Sequence, residues 1–95
     1  MTRQDIIDQM VKKTDLTVKE ATQAVEAMIE IFEEAFIKGE NIYIRGLATF
    51  KQVIRKEKKV QNIMRGHAMT MPAYRSVKLI IPKELKNRMN DGFEG

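Results

Sequence analysis

The chain has 95 residues, 43% of them hydrophobic and 32% charged, with a formal net charge of +4 and no cysteine. That length excludes two independent cores, the composition excludes a disordered chain, and the missing thiol excludes a disulfide framework, a thiolate metal site and a cysteine nucleophile. No apolar run approaches the roughly 20 residues of a membrane span, and the opening MTRQDIIDQM, with two early acids, lacks the apolar stretch of a signal peptide, so a cytoplasmic protein with no membrane partner is expected.

Thr2, with Asp5 three residues on, predicts the start of a first helix, in which Ile6, Ile7, Met10 and Val11 repeat at helical spacing. KTDLT breaks that pattern. Thr17 and Glu20 then form a T-x-x-E capping box that opens a second helix. Ala21, Val25, Met28, Phe32 and Ala35 follow at steps of four and three, and Ile29, Ile31, Phe36 and Ile37 widen the apolar face. Lys38 suits the negative end of the helix dipole, and Gly39 can leave the helix in a left-handed conformation.

After Gly39 the hydrophobic period changes from 3.6 to 2. Ile42 and Ile44 alternate with Tyr43 and Arg45, and Gly46 marks a tight turn. Phe50, Gln52 and Ile54 then share one strand face, with Lys51, Val53 and Arg55 on the other. A basic stretch follows from Arg55 to Arg75, with six Lys/Arg and a single Glu. Val77, Leu79 and Ile81 resume a strand, with Lys78 and Ile80 on its other face. Pro82 suits the first turn of a short closing helix through Leu85 and Met89, and residues 90–95 read as a frayed tail. Short connections make three antiparallel strands the simplest arrangement. The expected class is α+β: a helical base over residues 1–38, a three-stranded sheet from 41–54 and 76–81, an arm over 55–75 and a final helix over 82–89.

Two features point beyond a monomer that binds nothing. The second helix is apolar on two sides and needs two partners. Its own first helix and sheet supply one, and a second copy of the chain is the simplest source of the other, which implies an intertwined homodimer with little stable monomer. Charge is also unevenly placed. Residues 1–44 carry five Lys/Arg against nine Asp/Glu, whereas residues 45–89 carry twelve against two. Such a split points the basic half toward a polyanion. A two-stranded ribbon turning near residues 62–66, with arms of about ten residues, would reach roughly 30 Å, is marginal alone in water and fits a DNA groove.

Several residues carry no chemistry of their own. His67 has no second ligand nearby in sequence. Asp5 with Asp8, and Glu30 with Glu33 and Glu34, lack the pocket and polar partner that a catalytic carboxylate pair needs and read as a solvated acidic face. No phosphate loop, nucleophile elbow or zinc spacing is present. No enzyme activity, cofactor, metal or small-molecule substrate is expected.

The residues that carry a resemblance are Gly46-Leu47-Ala48-Thr49-Phe50, Arg55 with Lys58, Gln61-Asn62-Ile63 with Gly66, and Leu85-Lys86. In an ungapped register over residues 1–89 they fall on the G-F-G-T-F turn, the R-x-x-R/K arm, the R-N-P tip with its following glycine, and the closing L-K of the HU/IHF family of bacterial histone-like DNA-bending proteins. The chain resembles a divergent branch. Ile63 stands where the family has a wedging proline, Gln61 where it has an arginine and Pro82 where it has a glycine. Isoleucine is apolar and can wedge between base pairs, but it lacks proline's rigidity.

The resemblance implies a saddle-shaped dimer, homodimeric or paired with a paralogue, whose two arms wrap the minor groove of double-stranded DNA. Contacts would go mostly to phosphates, with weak sequence preference. The implied function is DNA bending or compaction in the bacterial nucleoid. A site-specific architectural bender, or a dimeric module gripping an acidic protein, are the alternatives; RNA ranks lower, because A-form grooves fit the arms poorly.

The DNA-contact set is Arg45, Lys51, Arg55, Lys56, Lys58, Lys59, Gln61, Asn62, Ile63, Arg65, Arg75, Lys78, Lys83 and Lys86, with Arg88 beside the last two. The dimer core is Met28, Ile29, Phe32, Phe36, Ile44, Leu47, Phe50 and Leu79. Arg3 and Glu26 are expected to pair on the surface.

Overall fold

A computed structural model describes the backbone of residues 1–62 and 67–95 and the side chains of residues 1–58 and 70–95. The chain divides into two compact units, Met1–Lys38 and Gly39–Gly95.

The first unit is a pair of helices, α1 (Arg3–Lys13) and α2 (Val18–Lys38). Both start where the capping residues predict. Asp5 N–H donates to Thr2 Oγ1 at 3.3 Å while Thr2 N–H donates to the Asp5 carboxylate at 2.8 Å. At α2 the same reciprocal pair joins Thr17 and Glu20, at 3.0 and 3.1 Å. Each box satisfies backbone donors that a helix start otherwise leaves open. α1 ends at Thr14, whose N–H donates to the Met10 carbonyl at 3.0 Å and whose hydroxyl donates to the same oxygen. The buried core of this unit is small: Ile7, Ala21 and Val25, flanked by half-buried Met10, Val11, Leu16 and Ile29.

The Glu20 carboxylate is held below its ordinary value of 4.5, first by the Thr17 backbone N–H and then by the Thr17 hydroxyl. A lowered folded-state value means the contribution is complete above the ordinary value and is lost as the pH falls through the lowered one. Glu20→Gln should therefore melt below wild type at neutral pH, and the two melting curves should converge under acid. A constant offset at every pH would show that the carboxylate charge is not what caps α2. Thr17→Ala should cost about 1 kcal/mol by the same thermal melts.

The second unit opens on a three-stranded antiparallel sheet. β1 (Ile42–Ile44) and β2 (Ala48–Arg55) form a hairpin around Arg45-Gly46-Leu47. Leu47 N–H donates to the Ile44 carbonyl at 3.0 Å, and Gly46 lies at φ +83°, which a side chain would make costly. A ribbon follows, β3 (Lys58–Asn62) paired with β4 (His67–Met71). β5 (Tyr74–Ile80) returns along β2, so the sheet order is β1-β2-β5. β1 pairs only with the first half of β2. On that edge the Gln52 N–H is taken instead by Asn41 Oδ1 at 2.8 Å, and Gln52 Nε2 donates to the Glu40 carbonyl at 3.4 Å.

Two boundaries move from the sequence reading. The sheet takes in Arg55, Tyr74 and Arg75, which were assigned to the arm, because cross-strand pairing is indifferent to the charge that marked the stretch. The last helix, α3, runs Lys83–Asn90, with Pro82 as its extended N-cap rather than inside its first turn.

Candidate nucleic-acid interface

Cross-strand partners in a pleated sheet share a face, so the register assigns every side chain. Phe50 opposes Ile42 and Leu79, Gln52 opposes Val77, and Ile54 opposes Arg75. The other face carries Thr49 between Tyr43 and Ile80, then Lys51 opposite Lys78, Val53 opposite Ser76, and Arg55 opposite Tyr74. Lys51, Arg55 and Lys78 are all exposed. Like charges directly opposite one another are destabilising in a sheet. An anion near Lys51 and Lys78 would relieve that repulsion.

The ribbon continues the β2–β5 pairing without a change of register. Arg55 pairs with Tyr74, and three residues further along each strand Lys58 pairs with Met71. Between the two ladders lies a short unpaired step, Lys56-Glu57 on one strand and Pro72-Ala73 on the other. Pro72 has no N–H to give to a ladder there. Lys56 and Lys58 are exposed at and beyond the step.

Of the remaining cations assigned from sequence, Arg45 is exposed in the β1–β2 turn, and Lys83, Lys86 and Arg88 are exposed on α3. Arg75 pairs with Ile54 and so stands on the sheet face opposite Lys51 and Lys78. A Cβ placed on Gly39, which itself lies at φ +78°, would be 3.3 Å from Arg75 Nη2. Parity of a single residue decides this, and charge counting does not register parity. The side chains of Lys59, Gln61 and Asn62 lie outside the described residues, although their backbone pairs in the ribbon; Ile63 and Arg65 lie outside them altogether.

Sequence reading did not connect Tyr43 with the cationic face. Tyr43 is 73% exposed, and Tyr74 is 53% exposed. The strand alternation contained the signal for both, but it could be used only once the pairing was known.

The residues assigned to the dimer core are incompletely covered in one chain. Ile29, Phe32, Phe36, Ile44 and Phe50 are half-buried, and Met28, Leu47 and Leu79 are exposed. Phe32 and Phe36 meet edge to face, with ring centroids 6.2 Å apart. Among the described residues no group of acids or histidines is arranged to hold a metal, and no helix is long and apolar enough to cross a membrane.

Comparison with known proteins places this architecture. A family model described as "Bacterial DNA-binding protein" matches residues 1–90. The DNA-binding protein HU of Clostridium pasteurianum is 32% identical over 90 residues, covering 95% of this chain and 99% of that protein. Integration host factor subunit beta of Saccharophagus degradans is 27% identical over 95 residues, covering 99% and 97%. Among solved structures, an Anabaena HU–DNA cocrystal structure superposes with a TM-score of 0.86 at 24% identity, covering 94% of this chain and 97% of that one.

Proposed function

This chain belongs to the bacterial DNA-binding protein family of HU and integration host factor, and from that premise we propose that it binds double-stranded DNA as a homodimer, seats phosphates on the cationic sheet face and bends the duplex with its two ribbons. The family is one of structural DNA-binding proteins, not of enzymes. The observation that carries the reading is the Lys51–Lys78 pair, whose facing like charges an anion would relieve, on a sheet whose β2–β5 pairing runs in register into the ribbon. Contacts of this kind hold the duplex by its backbone and carry little sequence information. The sequence-tolerant binding expected of a nucleoid protein follows from them.

The dimer has its own physical support. A two-helix unit of under 40 residues with four buried side chains, Ile7, Ala21, Val25 and Ala35, is below the size that folds without help. The partly covered Phe32 and Phe36, and the exposed Leu47 and Leu79, are the surfaces that a second copy would bury. Bending rests on the ribbon's reach and on Ile63, which follows Asn62 in sequence where the family carries a wedging proline. Apolar side chains at such a place unstack base steps from the minor groove.

The test is a duplex labelled at both ends with a fluorescent pair, titrated at two salt concentrations and read by anisotropy and end-to-end transfer together. Salt-sensitive binding with increased transfer is expected. Binding with unchanged transfer would remove the bending and keep the DNA partner. No binding at low salt would sink the whole reading and bring forward an acidic protein partner. Ile63→Ala should lower the transfer while sparing most of the affinity.

A further inference from the structure

Three side chains, those of Asn41, Gln52 and Arg75, join residues 39–41 to the end of the sheet from which the ribbon leaves. β1 pairs with β2 only as far as Phe50. Beyond that row β5 is the only strand hydrogen-bonded to β2 among the described residues, and residues 39–41 lie along the other edge. There Asn41 Oδ1 accepts the Gln52 N–H at 2.8 Å, as a strand carbonyl would, and Gln52 Nε2 donates back to the Glu40 carbonyl at 3.4 Å. The Arg75 side chain, rooted on β5 opposite Ile54, brings its guanidinium to Gly39. The bare Cα of Gly39 leaves that room, since a Cβ would stand 3.3 Å from Arg75 Nη2.

These rows are the root of the ribbon. The last sheet pair is Arg55 with Tyr74, next to Arg75. The unpaired step of Lys56-Glu57 and Pro72-Ala73 follows, then the first ribbon pair, Lys58 with Met71. Two strands without a third neighbour twist more strongly than strands inside a sheet and are marginal by themselves. Any change of twist at the root is magnified along the ribbon's length.

We propose that residues 39–41, Gln52 and Arg75 form a clamp that stands in for the missing third strand, fixes the twist at the ribbon root and so sets the direction in which each ribbon meets DNA. Asn41 and Arg75 are then positioning residues for bending. Arg75, on the face away from Lys51 and Lys78, acts without taking a phosphate. The proposal rests on the reading of the ribbons as the parts that bend the duplex.

The full-length protein and its variants are titrated onto the end-labelled duplex, and transfer is read at saturation. A phosphate ligand contributes about 0.9 to the log–log salt slope. Arg75→Ala should instead leave the slope unchanged and lower the transfer. Arg75→Lys keeps the charge but not the planar guanidinium, and should lower the transfer as well. Gly39→Ala changes no charge and sets a methyl group against the guanidinium, so it should act in the same way. Its control is Gly46→Ala, which carries the same backbone penalty, at φ +83° against +78°, with nothing within 4 Å of the added Cβ. That variant should keep the wild-type transfer. Asn41→Ala should lower the transfer, and Asn41→Asp, which keeps an acceptor oxygen for the Gln52 N–H, should retain it.

Wild-type transfer that survives in Arg75→Ala, Gly39→Ala and Asn41→Ala would overturn the clamp and leave the proposed function standing. A salt slope lower by about 0.9 in Arg75→Ala, restored by Arg75→Lys, would make Arg75 a phosphate ligand and overturn it too. Binding by the wild type with unchanged transfer would remove the bending reading and this inference together. If Gly46→Ala lowered the transfer as far as Gly39→Ala, loosening of the whole sheet would account for both, and the clamp would be wrong.

Discussion

Replacing Lys51 and Lys78 together by alanine should make the protein more stable and a poorer DNA binder. The two changes have opposite signs because the pair is repulsive in the free protein and attractive toward phosphate. Relief of a directly opposed like-charge pair is worth about 0.2–1 kcal/mol in a sheet. On DNA, each lost phosphate contact reduces the log–log salt slope by about 0.9, or roughly tenfold in affinity at 0.1 M salt. The double variant should therefore bind about a hundredfold more weakly, equally on unrelated duplex sequences, and melt slightly higher. Melts and salt titrations of wild type, the two single variants and the double variant complete the comparison. If affinity fell only on particular sequences, the lysines would be reading bases rather than the backbone. If the double variant melted below wild type, the two ammonium groups would not be repelling one another and the anion-seat argument would lose its footing.

Phe32→Ala should abolish association and, with it, most of the folded state. Phe32 meets Phe36 edge to face within one chain but is still only half-buried. If a second copy completes its burial, truncation costs about 3–5 kcal/mol, a large part of the total stability of a small domain. The wild-type melting temperature should rise with protein concentration, as it does when folding and association are one step. Ile37→Ala is the matched control. Ile37 lies five residues further along α2, about 140° around the helix axis, and is 75% exposed. It should leave the dimer intact in sedimentation. A wild-type protein that sediments as a monomer, with a melting point independent of concentration, would end the dimer reading.

Much of the architecture was legible locally. Thr2 with Asp5 and Thr17 with Glu20 fixed both helix starts, because a capping box is decided within four residues. Gly39 and Gly46 both adopt the positive φ their places require. The change of period after Gly39 marked the division between the two units. The ribbon was visible as a basic stretch flanked by strands. The α3 start slipped by one residue because proline at an N-cap and proline at the next position have almost the same sequence surroundings.

The sequence by itself determined the elements, their order and the excess of cations after Arg45, since each depends on near neighbours or on plain counting. The pairing was decided only by the tertiary structure. Lys51 and Lys78 are 27 positions apart in the chain and become opposed only through the β2–β5 register, which is set by packing over its whole length. A slip of one residue would turn every side chain of a strand to the other face. It would separate that pair, bring Arg75 to the cationic side and remove Tyr74 from it. Counting charge cannot detect this, because it leaves every charge in place and changes only the direction in which it points.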